Sequence, residues 1–320
     1  MTRTSSARYS AHPSARQRRS RETLLAYGLL APALLLLLAF TVFPVGFGFV
    51  ISLYNWRLGP REFIGLDNYT RALRPASEMW PALGATVTYS LLSVPFQLGI
   101  ALVLAYLVFQ KIRGKTFFRV AMFLPYVTST VASAAVWARL YSPDQGIFNA
   151  ALKAIGLKPV RWLLESKGIF EVLSGQNLDI GGPSLAMIAV ILYTTWVYIG
   201  YDMTIFLAGL GNISTDVYEA AKIDGANGWQ VFSRITWPLL TPTTFFLSLI
   251  TIIGTFKAFN HIWVMTNGEN GTGTAAILIY RQIYEFQRAG YAAALAFLLS
   301  TVILVITILQ QRVTKDRVNY

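Results

Sequence analysis

Apolar residues along this chain gather in long blocks rather than in the short alternation of a sheet. Six blocks approach or exceed the length of a membrane crossing: about 23–53, 84–110, 117–141, 184–210, 239–266 and 290–310. A helix needs roughly 20 apolar residues to cross the ~30 Å hydrocarbon core of a bilayer, so each block predicts one crossing. The pattern therefore predicts an all-α membrane protein with six transmembrane helices. Between the fourth and fifth blocks lies a polar island, Val217 to Pro242, reading VYEAAKIDGANGWQVFSRITWPLLTP. Its spacing predicts a helix, a glycine turn and a second helix. Asp216 is placed to cap the first helix with Glu219 at its third position, both carboxylates at the positive end of the helix dipole. Val217, Ala220, Ala221 and Asp224 recur on one face, where two alanines let another backbone come close, a face suited to docking. Gly225 supplies the positive φ that ends the first helix, and Phe232 with Ile235 gives the second an apolar stripe.

The charges set the orientation. Arg16, Arg18, Arg19 and Arg21 precede the first block as they would in a signal peptide. The apolar run that follows is too long, carries Pro32, Pro44, Gly46 and Gly48, and lacks a small-residue cleavage site, so it reads as an uncleaved first span. With the N-terminus inside, segments 1–22, 111–119, 211–238 and 311–320 hold 15 of the 27 Lys and Arg residues against 11 in the outer loops, a modest bias of the sign that the positive-inside rule requires. Both termini and the island are then expected in the cytoplasm of a multi-pass plasma-membrane protein. The domain organisation follows: residues 1–22 a disordered basic tail lying against anionic headgroups, 23–312 a membrane domain with the island at about 211–238, and 313–320 a cytoplasmic tail. The largest outer segment, 142–183, opens with a short amphipathic helix between Gly146 and Gly156, read either as a lid on the bundle or as a docking surface.

The island carries a more specific signal. Glu219-Ala220-Ala221, three residues, Gly225, nine residues, Ile235, one residue and Pro238 resemble the signature of the permease subunits of ATP-binding-cassette importers, with Trp237 where that family usually has leucine. Phe206 to Leu210, Ile223 to Ala226, Phe256 to Phe259 and Phe63 to Tyr69 are similar to its carbohydrate-uptake branch, the maltose and glycerol-3-phosphate permease-like proteins. The family often has Gly-Gly-Pro where this chain has Gly268-Glu269-Asn270. The resemblance implies a cytoplasmic helix-turn-helix coupling loop in which Glu219, Ala220, Ala221, Asp224 and Gly225 meet an ATPase. It also implies a second, similar permease, a pair of ATPase subunits that bind ATP and Mg, and an extracellular solute-binding protein that delivers a sugar.

Composition narrows the chemistry. At 54% hydrophobic and 13% charged residues, with a mean hydropathy of +0.49, the chain suits a bilayer, and its net charge of +12 is a topology and headgroup signal that needs no nucleic acid. It has no cysteine and two histidines, His12 and His261, so no metal site, and no cofactor in this chain, is expected. Gly114-Lys115-Thr116 ends like a phosphate loop, but position 109 is Phe where such a loop needs glycine, and no catalytic constellation accompanies it. A non-catalytic subunit is expected. Polar and aromatic groups within spans are the candidates for lining a solute path. Lys257, Asn260 and His261 share one face of the fifth span with Val264. Trp196 and Tyr193 lie on one face of the fourth, and Gln97 lies in the second. Asp202 is expected near the inner end of span four, meeting water or a basic neighbour. Two rival readings are an importer of the same kind for glycerol-3-phosphate, a glycerophosphodiester or another polar solute, and an ion-coupled transporter relaying protons through Asp202, Lys257 and His261, which the sequence gives no common placement.

Overall fold

A computed structural model describes residues 15–110, 113–168, 171 and 182–315. Residues 1–14 and 316–320, parts of the two expected tails, lie outside this set. Among the described residues, four helices are long and apolar enough to cross a membrane: Glu22–Ser52, Met79–Phe109, Leu185–Gly211 and Ala289–Val313. Two bent pairs, Lys115–Val127 with Thr130–Leu140 (98°) and Gly228–Leu239 with Thr241–Phe256 (62°), bring the number to six when each pair is one crossing.

In chain order, α1 (Ala15–Leu37) and α2 (Phe43–Ser52) form the first span. Residues 15–22, expected as part of a disordered tail, are already helical, since the Arg, Gln and Glu residues of this stretch are good helix formers. A two-stranded antiparallel hairpin, Tyr54–Trp56 with Pro60–Phe63, leads to α3 (Asp67–Leu73) and the long α4 (Met79–Phe109). Next come α5 (Lys115–Val127), α6 (Thr130–Leu140), the short α7 (Ile147–Ala154) and the long α8 (Leu185–Gly211). The island forms α9 (Thr215–Ile223), α10 (Gly228–Val231) and α11 (Trp237–Leu239), and the chain closes through α12 (Thr241–Phe256), α13 (Asn260–Thr266), α14 (Ala275–Tyr284) and α15 (Ala289–Lys315).

Prolines explain most of the irregularity. A π turn at Leu38–Val42 ends just before Phe43-Pro44, and another at Phe232–Thr236 ends just before Trp237-Pro238. In each case a ring with no N–H follows the last π hydrogen bond, and its clash with the preceding turn is relieved by widening that turn. The α5–α6 bend follows Pro125. There Thr128 leaves the helix with ψ 153 while its hydroxyl donates to the Pro125 carbonyl at 2.6 Å, and Ser129 starts α6 by accepting from the Ala132 N–H.

The fifth span departs from its predicted form. The continuous helix expected over 239–266 stops at Phe256 and restarts at Asn260, with Lys257 to Phe259 outside helical geometry. Such backbone is tolerated at membrane depth only where protein satisfies it or a cavity solvates it. Here the Ala258 carbonyl accepts from the Thr274 hydroxyl at 3.3 Å, and the rest of the break faces a cavity.

Two apolar clusters are stacked along the paired helices α4 and α8. One joins Tyr89, Ala134, Tyr141, Met187, Val190, Tyr193 and Ile262. The other joins Val94, Leu98, Leu102, Met203, Phe206, Leu210, Leu240 and Leu247. Gly200 lets α5 lie directly on α8, since a Cβ there would stand 1.8 Å from the Met122 carbonyl oxygen. Small residues serve this purpose in membrane helices, where close backbone packing replaces the hydrophobic drive. The first span contributes little to the core, and none of its apolar window is buried.

Candidate functional site

Between the two clusters the bundle opens into a cavity of about 320 Å³, walled by α4, α5, α6, α8, α12 and the break before α13. Its lining is polar and aromatic: Gln97, Asp202, Lys257, Asn260, His261, Thr130, Thr251 and Thr255, with Tyr89, Tyr126, Tyr198, Tyr201 and Phe259. Tyr126 of α5 stacks on Tyr201 of α8 with centroids 4.6 Å apart, and Tyr198 meets Tyr126 edge-on at 5.8 Å. At one end, the Tyr89 hydroxyl bonds both Thr194 Oγ1 (2.8 Å) and His261 Nε2 (2.9 Å), tying α4, α8 and α13 together. Deeper in, Gln97 Nε2 donates to Asp202 Oδ2 at 2.5 Å, while Gln97 Oε1 is buried without a partner.

The sequence-derived candidates divide here. Gln97, Lys257, Asn260 and His261 do line one cavity. The shared helical face predicted for the last three does not exist, because the helix is broken, and it is the break that brings them to the same space. Tyr193 and Trp196 do not line it. Tyr193 is buried against Trp137, its hydroxyl donating to the Thr130 carbonyl and bonded to Ser133, and Trp196 packs beside Trp137 with its outer edge exposed. Helical spacing showed which residues share a face of α8 but not which helix covers that face.

Asp202 needs a second correction. It is 1% exposed and paired with Gln97, not set in water at the inner end of its span. It also shares the cavity with Lys257 and His261, the common placement that the sequence did not reveal. Among the described residues no direct hydrogen bond or ion pair joins these three: Asp202 is paired with Gln97 and His261 with Tyr89. Tyr126 and Tyr201 were missed. Tyr201, three residues after Tyr198 and one before Asp202, could have been found by extending the face of Tyr198, whereas Tyr126, one turn after Met122, is aimed by the close packing of α5 on α8 at Gly200.

The helix-turn-helix lies beyond the C-terminal end of α8. Ser214, not Asp216, caps α9, its hydroxyl accepting from the Asp216 N–H at 3.3 Å, which leaves Asp216 and Glu219 further into the helix. The predicted capping box is found one helix later, where Asn227 and Gln230 exchange hydrogen bonds at 2.8 and 2.9 Å. Gly225 has φ +72, and around it the Ala226 N–H reaches the Ala221 carbonyl while the Gly225 N–H reaches Lys222, a complete Schellman closure. Ala221 packs inward, so the face proposed for docking is split. Glu219, Ala220, Asp224 and Gly225 remain exposed, and beside them Ile223 is 87% exposed. Phe232 meets Tyr106 of α4 edge-on at 5.2 Å, fixing the motif to the bundle, and Trp237 stands half exposed at the elbow into α12.

Residues 83–318 match the family described as binding-protein-dependent transport system inner membrane component. The chain is 32% identical to the lactose transport system permease protein LacF of Rhizobium radiobacter over 90% of its own length and 93% of that protein's. It is 31% identical to the trehalose/maltose transport system permease protein MalF of Thermococcus litoralis, over 93% and 96%. Its fold is similar to a chain in the crystal structure of a bacterial alginate ABC transporter in complex with an alginate pentasaccharide-bound periplasmic protein, with a TM-score of 0.79, 23% identity and coverage of 93% and 96%.

Proposed function

The chain belongs to the family of binding-protein-dependent transport system inner membrane components, and on that premise we propose that it lines the path of a sugar through an ATP-driven importer. It is a multi-pass membrane protein and a non-catalytic permease subunit. The cavity carries the reading. Aromatic side chains offer apolar faces for a sugar ring, and Gln97, Asn260, Thr130 and Thr251 offer groups for its hydroxyls. The relatives named for lactose and for trehalose/maltose support the same solute class, mono- to oligosaccharide.

The partners are a second permease of similar build, a pair of ATPase subunits that bind ATP and Mg in the cytoplasm, and an extracellular solute-binding protein. Both termini and the helix-turn-helix face the cytoplasm. Closure of the ATPase pair pushes on Glu219, Ala220, Asp224 and Gly225, the turn being held rigid by its Schellman closure and by the buried Ala221. Phe232 passes that push to α4, and the bundle rocks between outward and inward access around the cavity. The ion-coupled reading is disfavoured by the family, whose members work with a binding protein, and leaves the helix-turn-helix unexplained.

Reconstituted with its partners and a loaded solute-binding protein, the chain is expected to support sugar uptake that requires ATP. Uptake that runs without ATP and collapses with an uncoupler overturns this reading. Gly225→Asp and Glu219→Lys are expected to abolish uptake while the chain still inserts, and full uptake in both would remove the helix-turn-helix from coupling.

A further inference from the structure

At the end of α8 opposite the helix-turn-helix, α7 and the turn after it carry a patch that lies apart from the cavity. From Gln145 to Leu164 the chain holds Lys153, Lys158 and Arg161 and no Asp or Glu. The same stretch exposes Ile147, Ile155, Leu157 and Leu164, with Ile155 at 72%. The patch is rigid. Asn149 donates to the carbonyls of Pro143 (3.0 Å) and Val160 (2.9 Å) and accepts from the Val160 N–H and Trp162 Nε1, both at 3.0 Å. Gly156, at φ +79, closes α7 with the Leu157 N–H on the Leu152 carbonyl.

Its depth follows from α8. That helix has 27 residues, about 40 Å at 1.5 Å per residue, and so overhangs a ~30 Å hydrocarbon core by roughly 5 Å at each end. The Tyr141 hydroxyl donates to the carbonyl of Ala189, about one turn in from Leu185, which puts this ring at the edge of the hydrocarbon. Phe148 of α7 stacks on Tyr141 with centroids 4.8 Å apart, and Trp162 lies 5.6 Å from it. These rings tie α7 and the turn after it to α8 at that depth.

We propose that α7 and its following turn lie in the headgroup layer, the aliphatic side chains entering the acyl boundary and Lys153, Lys158 and Arg161 pairing with anionic phospholipid. Basic side chains beside exposed aliphatics, on a preformed surface at this depth, match that environment in both charge and polarity. A solute-binding protein that comes and goes would leave four large aliphatics in water between visits, whereas lipid covers them throughout.

The chain has no cysteine, so single labels can be placed without further changes. Nitroxides at Ile155→Cys, Leu157→Cys and Leu164→Cys in the full-length chain, held in nanodiscs containing anionic phospholipid, are compared with one at Asp144→Cys, exposed just outside the patch. The expected result is a several-fold lower collision rate with a water-soluble nickel complex at the three patch positions, together with a higher rate with oxygen. Lys153→Glu, Lys158→Glu and Arg161→Glu combined should bring these rates towards the Asp144 value. Nickel access equal to that at Asp144 in lipid alone overturns the proposal. So does protection that ignores the triple substitution, or that arises only when a solute-binding protein is added, which would mark a protein-docking surface instead.

Discussion

Replacing Gly200 by alanine tests the packing that shapes the cavity. The added Cβ would lie 1.8 Å from the Met122 carbonyl oxygen, 2.3 Å from its carbon and 2.7 Å from the Phe123 nitrogen, all backbone atoms of α5. A carbon and a carbonyl oxygen ordinarily approach no closer than about 3.3 Å, so α5 must retreat by roughly 1.5 Å. No side chain can swing aside to absorb this. Tyr126, one turn along α5 from Met122, would be drawn off Tyr201, where the rings now stack at 4.6 Å. Overpacking of this kind costs about 1–3 kcal/mol, and a backbone obstacle places Gly200→Ala near the upper limit. Alanine returns up to ~1 kcal/mol through helix propensity, which leaves a net loss of about 2 kcal/mol. Gly84→Ala on α4 is the control, because nothing stands within 4 Å of its Cβ position. It is expected to keep the propensity gain, so the two variants should differ by about 3 kcal/mol in reversible unfolding of the full chain in mixed micelles. Equal midpoints would refute the close approach of α5 to α8, and with it the account of how the tyrosine wall is held.

Gly225→Ala forces an L side chain into a left-handed conformation at a cost of roughly 1–2 kcal/mol, and hydrogen exchange at Gly225 and Ala226 should rise; unchanged protection would contradict the Schellman closure. Gln97→Leu removes the donor from buried Asp202 and should destabilise the chain by about 1–3 kcal/mol, whereas Gln97→Leu with Asp202→Leu should recover much of that loss. Strict additivity in this double-mutant cycle would mean that the two groups do not interact. Asn149→Ala leaves the Val160 N–H and Trp162 Nε1 without their acceptor, so exchange across Leu157–Leu164 should quicken; unchanged exchange there would show that these bonds do not hold the segment.

Most of the helices were legible as apolar blocks, and the helix-turn-helix was legible as a polar island with a glycine at the turn. Errors arose where a local rule had more than one solution. Ser214 and Asp216 are both sound caps, and the choice falls to the residue at which the chain leaves α8. The break at Lys257 to Phe259 carries no proline, and its apolar neighbours read as a continuous span. It exists because Thr274 and the cavity satisfy backbone that hydrocarbon could not.

The sequence by itself determined that the chain crosses a bilayer, roughly where, and where a rigid polar turn interrupts it, because length, hydropathy and left-handed glycine geometry are local properties. Which polar groups share a space was decided only by the tertiary structure. Asp202 and Gln97 stand on different helices 105 positions apart, and Tyr193 and Trp196, which share a face of α8 with Gly200, pack against Trp137 of α6 rather than opening to the cavity. A helical period assigns a residue to a face, but the neighbour that buries the face comes from how close two backbones can pack, and that distance is set by contacts such as Gly200 against Met122.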